Sequence, residues 1–79
     1  MKILLFATLK ERAGRAEIDV LLPNGATVGD LRRCIAAEYP ALGALAARSV
    51  VALNHEFAFD QDAIGPNDEI ALFPPVSGG

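Results

Sequence analysis

Residues 27–40 read Thr-Val-Gly-Asp-Leu-Arg-Arg-Cys-Ile-Ala-Ala-Glu-Tyr-Pro, and this stretch predicts the one main helix of the chain. Its apolar side chains recur at spacings of three and four and so share one helical face; they are Val28, Leu31, Ile35 and Tyr39. Thr27 can cap the first turn, and Asp30 is placed to reach back and to favour the positive helix end. Pro40 stops the helix near Tyr39. Twelve helical residues span about 18 Å, which is enough to cross a small sheet.

Apolar segments on both sides of this helix predict five strands, over residues 2–7, 15–22, 50–53, 56–59 and 68–73. Turn residues separate them: Pro23-Asn24-Gly25, Asn54-His55, and residues 64–67. In the last of these, Pro66 presets φ and Asn67 tolerates a left-handed conformation. Residues 8–14 are interpreted as a connector, and residues 41–48 as a loose helical turn and connector.

The order strand, strand, helix, strand, strand, strand predicts an α+β fold. One short helix cannot cover two sheets, so it is expected to pack on one face of a single mixed five-stranded sheet. This is the β-grasp, or ubiquitin-like, arrangement, in which the first and last strands lie side by side in the centre. Residues 1–73 are expected to form this domain, and residues 74–79 a flexible C-terminal tail.

The composition and net charge of the chain exclude some classes of function. The chain has 79 residues, of which 52% are hydrophobic, and its formal net charge is −3. An acidic chain is an unlikely direct partner for nucleic acid. The apolar run at residues 3–7 is too short to cross a membrane and leads into Lys10, Glu11 and Arg12 rather than a cleavage site. We therefore expect a cytoplasmic protein that binds neither nucleic acid nor membrane.

The sequence offers no catalytic or metal-binding constellation. Cys34 lies at the edge of the helical apolar face, where a small buried hydrophobe is the favoured interpretation. His55 is the only histidine, and with no second His or Cys nearby a metal site is not expected. Asp60-Gln61-Asp62 resembles part of a calcium loop but lacks the glycine and the distant glutamate. The chain is therefore expected to bind no cofactor and not to be an enzyme by itself.

The predicted tail has a chemistry of its own. Six residues follow Phe73: Pro74, Pro75, Val76, Ser77, Gly78 and Gly79. Extended, they reach roughly 20 Å, and the prolines bias the first part to an extended conformation. The two glycines carry no side chain, so the end of the chain can thread a channel that any β-carbon would block. A terminal carboxylate is a poor electrophile until it is converted to a derivative such as an acyl adenylate, so the tail suits a substrate of another enzyme.

Strand alternation also predicts a docking face. If Ile3, Leu5, Ile70 and Leu72 point to the helix, their neighbours point to the opposite side of the sheet. Those neighbours are Leu4, Phe6, Ala71 and Phe73, which would form an exposed apolar patch of the kind that marks a partner site. Phe57 is expected to extend this patch, and Lys10 to lie at its rim.

The chain resembles the MoaD/ThiS family of sulfur carriers over essentially its whole length, and within it the MoaD type, the small subunits of molybdopterin synthase. The resemblance is carried by five segments: residues 2–7, residues 27–39, Leu53-Asn54-His55-Glu56, Asp68-Glu69-Ile70, and residues 73–79. The last is the most specific, because thiamin-pathway carriers share Gly-Gly but usually lack Pro-Pro-Val-Ser before it. The family often has glycine where this chain has Asn67.

This resemblance implies a mechanism and partners. A ubiquitin-activating-type adenylyltransferase would use ATP to adenylate Gly79, and a sulfurtransferase or cysteine desulfurase would supply sulfur for a thiocarboxylate. The carrier would then dock on the large subunit of molybdopterin synthase, in a heterotetramer, and donate sulfur to cyclic pyranopterin monophosphate. The alternatives are a sulfur carrier for thiamin, cysteine or tRNA thiolation, a ubiquitin-like modifier, and a passive binding module with an inert tail.

Overall fold

The computed structural model describes residues 1–75. Within them the regular elements follow one another as β1 (Lys2–Leu5), α1 (Thr8–Ala13), β2 (Glu17–Asp19), α2 (Val28–Glu38), α3 (Gly43–Arg48), β3 (Val50–Leu53), β4 (Glu56–Ala58) and β5 (Ile70–Phe73). A 3-10 turn over Pro40–Leu42 joins α2 to α3. The predicted domain boundary at residue 73 stays a prediction, because residues 76–79 lie outside the described part of the chain.

The five strands form one mixed sheet in the order β2-β1-β5-β3-β4. The first and last strands are parallel neighbours at its centre, with Ile3 opposite Ile70 and Leu5 opposite Leu72. The other pairs are antiparallel, and β3 joins β4 through the Asn54-His55 turn. Both turn residues have positive φ, 52° and 70°, as a two-residue hairpin turn requires. The predicted β-grasp topology is confirmed.

The main helix α2 begins where the sequence predicts. The Thr27 hydroxyl accepts a hydrogen bond from the Asp30 amide at 3.2 Å, and the Asp30 carboxylate accepts one from the Thr27 amide at 3.0 Å. This reciprocal capping box satisfies two amides that the helix itself cannot pair. At the other end, the Tyr39 hydroxyl donates to the Asp19 carbonyl at 2.9 Å, which ties the helix to the edge strand β2.

The core lies between the sheet and the helices. Alternate residues of the two central strands are buried and meet the buried face of α2. These residues are Ile3, Leu5, Ile70 and Leu72 from the strands and Val28, Leu31 and Ile35 from the helix. Burying one such side chain contributes about 1.5–3 kcal/mol, so this cluster dominates the stability of a small domain.

The interpretation of residues 8–14 as a plain connector is wrong, because they contain helix α1. Leu9 is fully buried, and it anchors the helix to the core. Gly14 ends the helix in the left-handed conformation, with φ 74°, which is the usual place for a glycine. The spacing of Leu9 and Ala13, followed by Gly14, was the available signal for this short helix.

Residues 41–48 are more regular than the predicted loose turn, and Arg32 is the reason they are held in place. Its guanidinium donates to the Ala46 and Ser49 carbonyls, at 2.6 and 2.7 Å, and to the Asp60 carboxylate at 2.8 Å. Arg32 lies off the apolar face of α2 and reaches the end of α3, where helical pairing runs out. The Ala46 carbonyl also accepts from the Ser49 amide at 3.3 Å.

Several strands are shorter than predicted. The sheet ladder of β1 stops at Leu5, that of β2 covers three residues, and β5 begins at Ile70. Asn67 does not use the left-handed conformation that it tolerates, since its φ is not positive. The turn is instead closed by Asp68, whose amide donates to the Gly65 carbonyl at 3.3 Å and whose carboxylate accepts from the Gly65 amide at 2.7 Å.

Candidate functional site

The side of the sheet that faces away from α2, called the open face below, carries the predicted apolar patch. Residues directly opposite one another in neighbouring strands share a face. The register places Leu4 beside Ala71, Ala71 beside Ala52, and Ala52 beside Phe57. All four therefore lie in one row across the open face. The helices α1, α2 and α3 contact one another or the 3-10 turn between them and so form a layer on the other side.

A second row contains the aromatic centre of the open face. The Phe6 and Phe73 rings are stacked, with centroids 4.6 Å apart and planes 10° from parallel. The Phe6 amide donates to the Leu72 carbonyl at 3.2 Å, which continues the pairing of β1 with β5 beyond Leu5. The Phe6 side chain is 42% exposed, and Phe73 is half-buried beneath it.

Phe57 lies at the edge of the sheet, in the row that starts at Leu4, and its role at an interface stays a prediction. It is 79% exposed on the edge strand β4, and Phe59, just beyond that strand, is 68% exposed. The chain contains four phenylalanines, and none of them belongs to the buried core. Folding gains little from such exposed rings, and an exposed aromatic patch is typical of a partner interface.

The predicted rim residue Lys10 is exposed on α1. Together with Ala7, Glu11, Gly14 and Arg15 it lines a shallow depression beside the start of this helix. Lys10 lies four residues after Phe6 in the sequence. Its predicted role at the rim of an interface stays a prediction.

The last strand leads straight from the open face to the predicted tail. Phe73 is the final residue of β5, and Pro74 and Pro75 are half-buried after it. Neither proline has an amide hydrogen, so ladder pairing ends here. The remaining predicted tail residues, Val76, Ser77, Gly78 and Gly79, lie outside the described residues. The predicted roles of Gly79 and of the tail therefore stay predictions.

A polar network holds the start of β5 in register. The Asn54 amide group donates to the Asp68 carboxylate at 2.8 Å, and the Asn54 side-chain oxygen accepts from the Glu69 amide at 2.9 Å. Two of the segments that carry the family resemblance, Leu53-Asn54-His55-Glu56 and Asp68-Glu69-Ile70, therefore contact each other in the fold. The Gly65 amide and then the Asn54 side chain, both donating to the carboxylate, hold the pKa of Asp68 below its ordinary value of 3.8.

This network predicts a pH dependence of stability. A carboxyl whose pKa is lowered by folding contributes stability above its unfolded pKa, and that stability is lost as the pH falls through the folded pKa. We expect the melting temperature to fall from about pH 4 downward, with the Asp68→Asn variant falling less steeply than wild type. Asp30, whose pKa is lowered by the Thr27 amide and by Arg33, contributes the remaining slope. Equal slopes in both proteins would contradict this assignment.

One cavity, of about 630 Å³, shares Leu4 with the open face but lies away from its aromatic centre, between residues 21–26 and residues 64–69. Its walls include Lys2 and Ile70, the first residues of the parallel central strands, whereas the open-face aromatics and Pro74 lie at the opposite ends of those strands.

In residues 1–75 no three His, Cys, Asp or Glu side chains are grouped to hold a metal ion. No helix of the same residues is long and apolar enough to span a membrane.

Adjacent parallel terminal strands and a single helical layer define a ubiquitin-like β-grasp protein. The chain matches the ThiS family model over residues 3–79. It is 44% identical over 81 residues to a molybdopterin synthase sulfur carrier subunit of Dictyostelium discoideum, covering 99% of this chain and 94% of the relative. With the protein of the same name from Chlamydomonas reinhardtii it shares 42% identity over 81 residues, covering 100% and 98%.

A solved structure is similarly close. The small archaeal modifier protein 1 of Haloferax volcanii superimposes with a TM-score of 0.81 at 38% identity, covering 96% of this chain and 97% of that one. The chain therefore belongs to the ThiS family, and the resemblance to the MoaD/ThiS sulfur carriers is confirmed.

Proposed function

We propose that this protein is the sulfur-carrier subunit of a molybdopterin synthase. The observation that carries the proposal is the family match over residues 3–79 together with two full-length relatives that bear that name. The exposed aromatic patch beside the root of the tail supports it, because a carrier must dock on one protein while its chain end enters that protein.

The reacting group is the carboxylate of Gly79, and its chemistry is supplied by other proteins. An oxygen of the carboxylate attacks the α-phosphorus of ATP in an adenylyltransferase of the ubiquitin-activating type, and pyrophosphate leaves. The outer sulfur of a persulfide on a sulfurtransferase or cysteine desulfurase then displaces AMP and forms an acyl disulfide. A second thiol attacks the donor's sulfur in that disulfide, forms a new disulfide with the donor and releases the thiocarboxylate. The carrier itself binds no cofactor in this scheme and is not an enzyme on its own.

The open face binds the large subunit of the synthase, in a heterotetramer of two small and two large subunits. Phe6 and Phe73 form the centre of that contact, Leu4 and Phe57 extend it, and Lys10 lies at the rim. Stacked aromatic rings suit the buried centre of an interface, where a few residues contribute most of the binding energy. The tail, from Pro74 to Gly79, leaves the sheet at this centre and delivers sulfur to cyclic pyranopterin monophosphate in the cytoplasm.

A ubiquitin-like modifier is the second candidate, favoured by the similarity to a small archaeal modifier protein. In that case the activated Gly79 carbonyl would be transferred to a lysine amine and form an isopeptide bond. The same adenylate serves both reactions, so the nucleophile that meets it decides between them.

The two candidates are separated by intact mass spectrometry of the chain co-expressed with its activating enzyme and sulfur donor. A sulfur carrier gains the mass difference between sulfur and oxygen, located at Gly79. A modifier appears in adducts with other proteins through lysine side chains. An unchanged mass, with no adducts, would contradict both candidates and favour a passive binding module.

A further inference from the structure

Phe59 lies in the same row of the open face as the two stacked rings. The strand register places Val50 opposite Phe73, and it pairs the next residue of β3 with Ala58. Because Ala58 is the last residue of β4, Phe59 follows at the position opposite Val50. The row that contains the Phe6 and Phe73 rings therefore reaches the edge of the sheet at Phe59.

Folding makes little use of the Phe59 ring. The side chain is 68% exposed, and it belongs neither to the buried core nor to the partly buried side chains that pack against the core. Phe57 precedes it by two positions, on the same side of the strand, and is 79% exposed. Phe57 and Phe59, called the aromatic edge below, thus leave two ring surfaces for contacts outside this chain.

Hydrogen bonds hold the backbone that carries Phe59. The Phe59 amide donates to the Asp62 carboxylate at 2.7 Å, and the Phe59 carbonyl accepts from the Asp62 amide at 2.9 Å. The Val28 amide, at the start of α2, donates to the Asp62 carbonyl at 3.0 Å. The Gly29 amide donates to the Asp60 carbonyl, also at 3.0 Å. The ring is therefore exposed on an ordered turn, which needs little further ordering when a partner binds.

The side chains around the aromatic edge carry negative charge. Glu56 is exposed, and none of the ion pairs among residues 1–75 involves it. The Asp60 carboxylate pairs with Arg32, whereas the Asp62 carboxylate accepts an uncharged amide. Residues 49–79 contain no Lys or Arg. A partner surface that covers this edge therefore meets aromatic rings together with unbalanced carboxylates.

This combination suits the guanidinium group of an arginine. The face of an aromatic ring attracts a cation. The planar guanidinium group stacks on a ring and also binds a carboxylate through its N–H groups. A partner surface without a cation would desolvate the Glu56 carboxylate with no compensating charge. Charge complementarity thus favours a cationic partner surface over a purely apolar one.

We propose that the aromatic edge receives an arginine side chain of the large synthase subunit, and that Phe59 is a specificity-determining residue of the docking face. The identity of the partner rests on the proposed function. The row of Phe59 contains Phe73, the residue at which the tail leaves the sheet. The contact at Phe59 is therefore continuous with the contact that the proposed function gives to the large subunit.

The first test titrates the purified large subunit into the full chain. Phe59→Ala should weaken binding about threefold to tenfold. Phe59→Leu keeps an apolar side chain but has no ring face, and it should lose most of the same affinity. Leu21→Ala is the matched control, because Leu21 is 85% exposed beyond the opposite edge strand β2, and it should bind as wild type. All three melting temperatures should stay within about 2 °C of wild type.

The second test identifies the side chain that contacts the ring. Phe59→p-benzoylphenylalanine should cross-link on illumination to the large subunit, in a peptide that contains an arginine. Replacing that arginine with methionine should lower the affinity of the wild-type chain and have little further effect on Phe59→Ala, because the two residues share one contact. Glu56→Gln should weaken binding at low ionic strength and reduce its dependence on salt.

Four results would overturn the inference while the large subunit still binds the wild-type chain. These are wild-type affinity in Phe59→Ala or in Phe59→Leu, an equal loss in Leu21→Ala, additive effects of Phe59→Ala and the arginine replacement, and cross-links only to the activating enzyme or to a second copy of the chain. The proposed function fails in a different way, when the wild-type chain neither binds the large subunit nor gains sulfur in the mass experiment. The inference names that partner and would then fall with it.

Discussion

Deleting Gly79 abolishes thiocarboxylate formation and leaves the melting temperature unchanged. The new terminal carboxylate, on Gly78, ends one residue short of the activating centre, and a tail shortened by about 3.5 Å cannot place its carboxylate oxygen at the α-phosphorus of ATP. Stability is unaffected because glycine has no side chain to withdraw from the core, whose strands end at Phe73. Intact mass and thermal denaturation of the same preparation measure both effects.

A matched variant tests whether length or chemistry is responsible. Gly79→Ala keeps the length of the tail and adds one methyl group, so its activation should be reduced through crowding in the channel rather than lost by reach. Full sulfur loading of the shortened chain would show that Gly79 is not the reacting residue. A large fall in the melting temperature would show that the end of the chain belongs to the folded domain.

The second large effect is expected from Phe73→Asp, which should lower the affinity for the large synthase subunit. A charge at the buried centre of an interface must be desolvated without a partner, and the stacked ring is lost as well. We expect affinity to fall about 30-fold or more, as for a central aromatic contact. Isothermal titration with the purified large subunit measures the loss.

Two control variants separate an effect on binding to the large subunit from an effect on folding. Phe6→Asp alters a residue that is already 42% exposed, so it should weaken binding with a smaller effect on the melting temperature. Leu21→Asp places the same charge at a residue that is 85% exposed, near the ends of the central strands that lie away from Pro74, and it should bind as wild type. Equal losses for Leu21→Asp and Phe73→Asp would remove the open face from the interface.

Local patterns predicted most of the fold because the relevant forces act over a few residues. The period of the α2 apolar face, its Thr27–Asp30 cap and the Asn54-His55 turn each depend on neighbours in sequence. The alternation in β1 and β5 also predicts that Phe6 and Phe73 lie on the side of the sheet opposite to the buried residues. The open face was therefore predictable, whereas its function depends on a partner.

Contacts between distant residues were not predictable in this way. Arg32 bonds to carbonyls 14 and 17 positions away and to a carboxylate 28 positions away, and no local pattern announces such partners. The contact between Asn54 and Asp68 spans 14 positions. Residue preference shows only that Asn67 tolerates a left-handed conformation, and the Asp68 side chain closes this turn with ordinary angles at Asn67.

The parallel pairing of β1 with β5 has a mechanical consequence. A protein that draws the tail into its channel pulls β5 lengthwise between two hydrogen-bonded neighbours, β1 and β3. The pulling force then acts in shear on all the hydrogen bonds between these strands at the same time, instead of breaking them one after another. The domain can thus be held by its C-terminal end, loaded with sulfur and released repeatedly without unfolding.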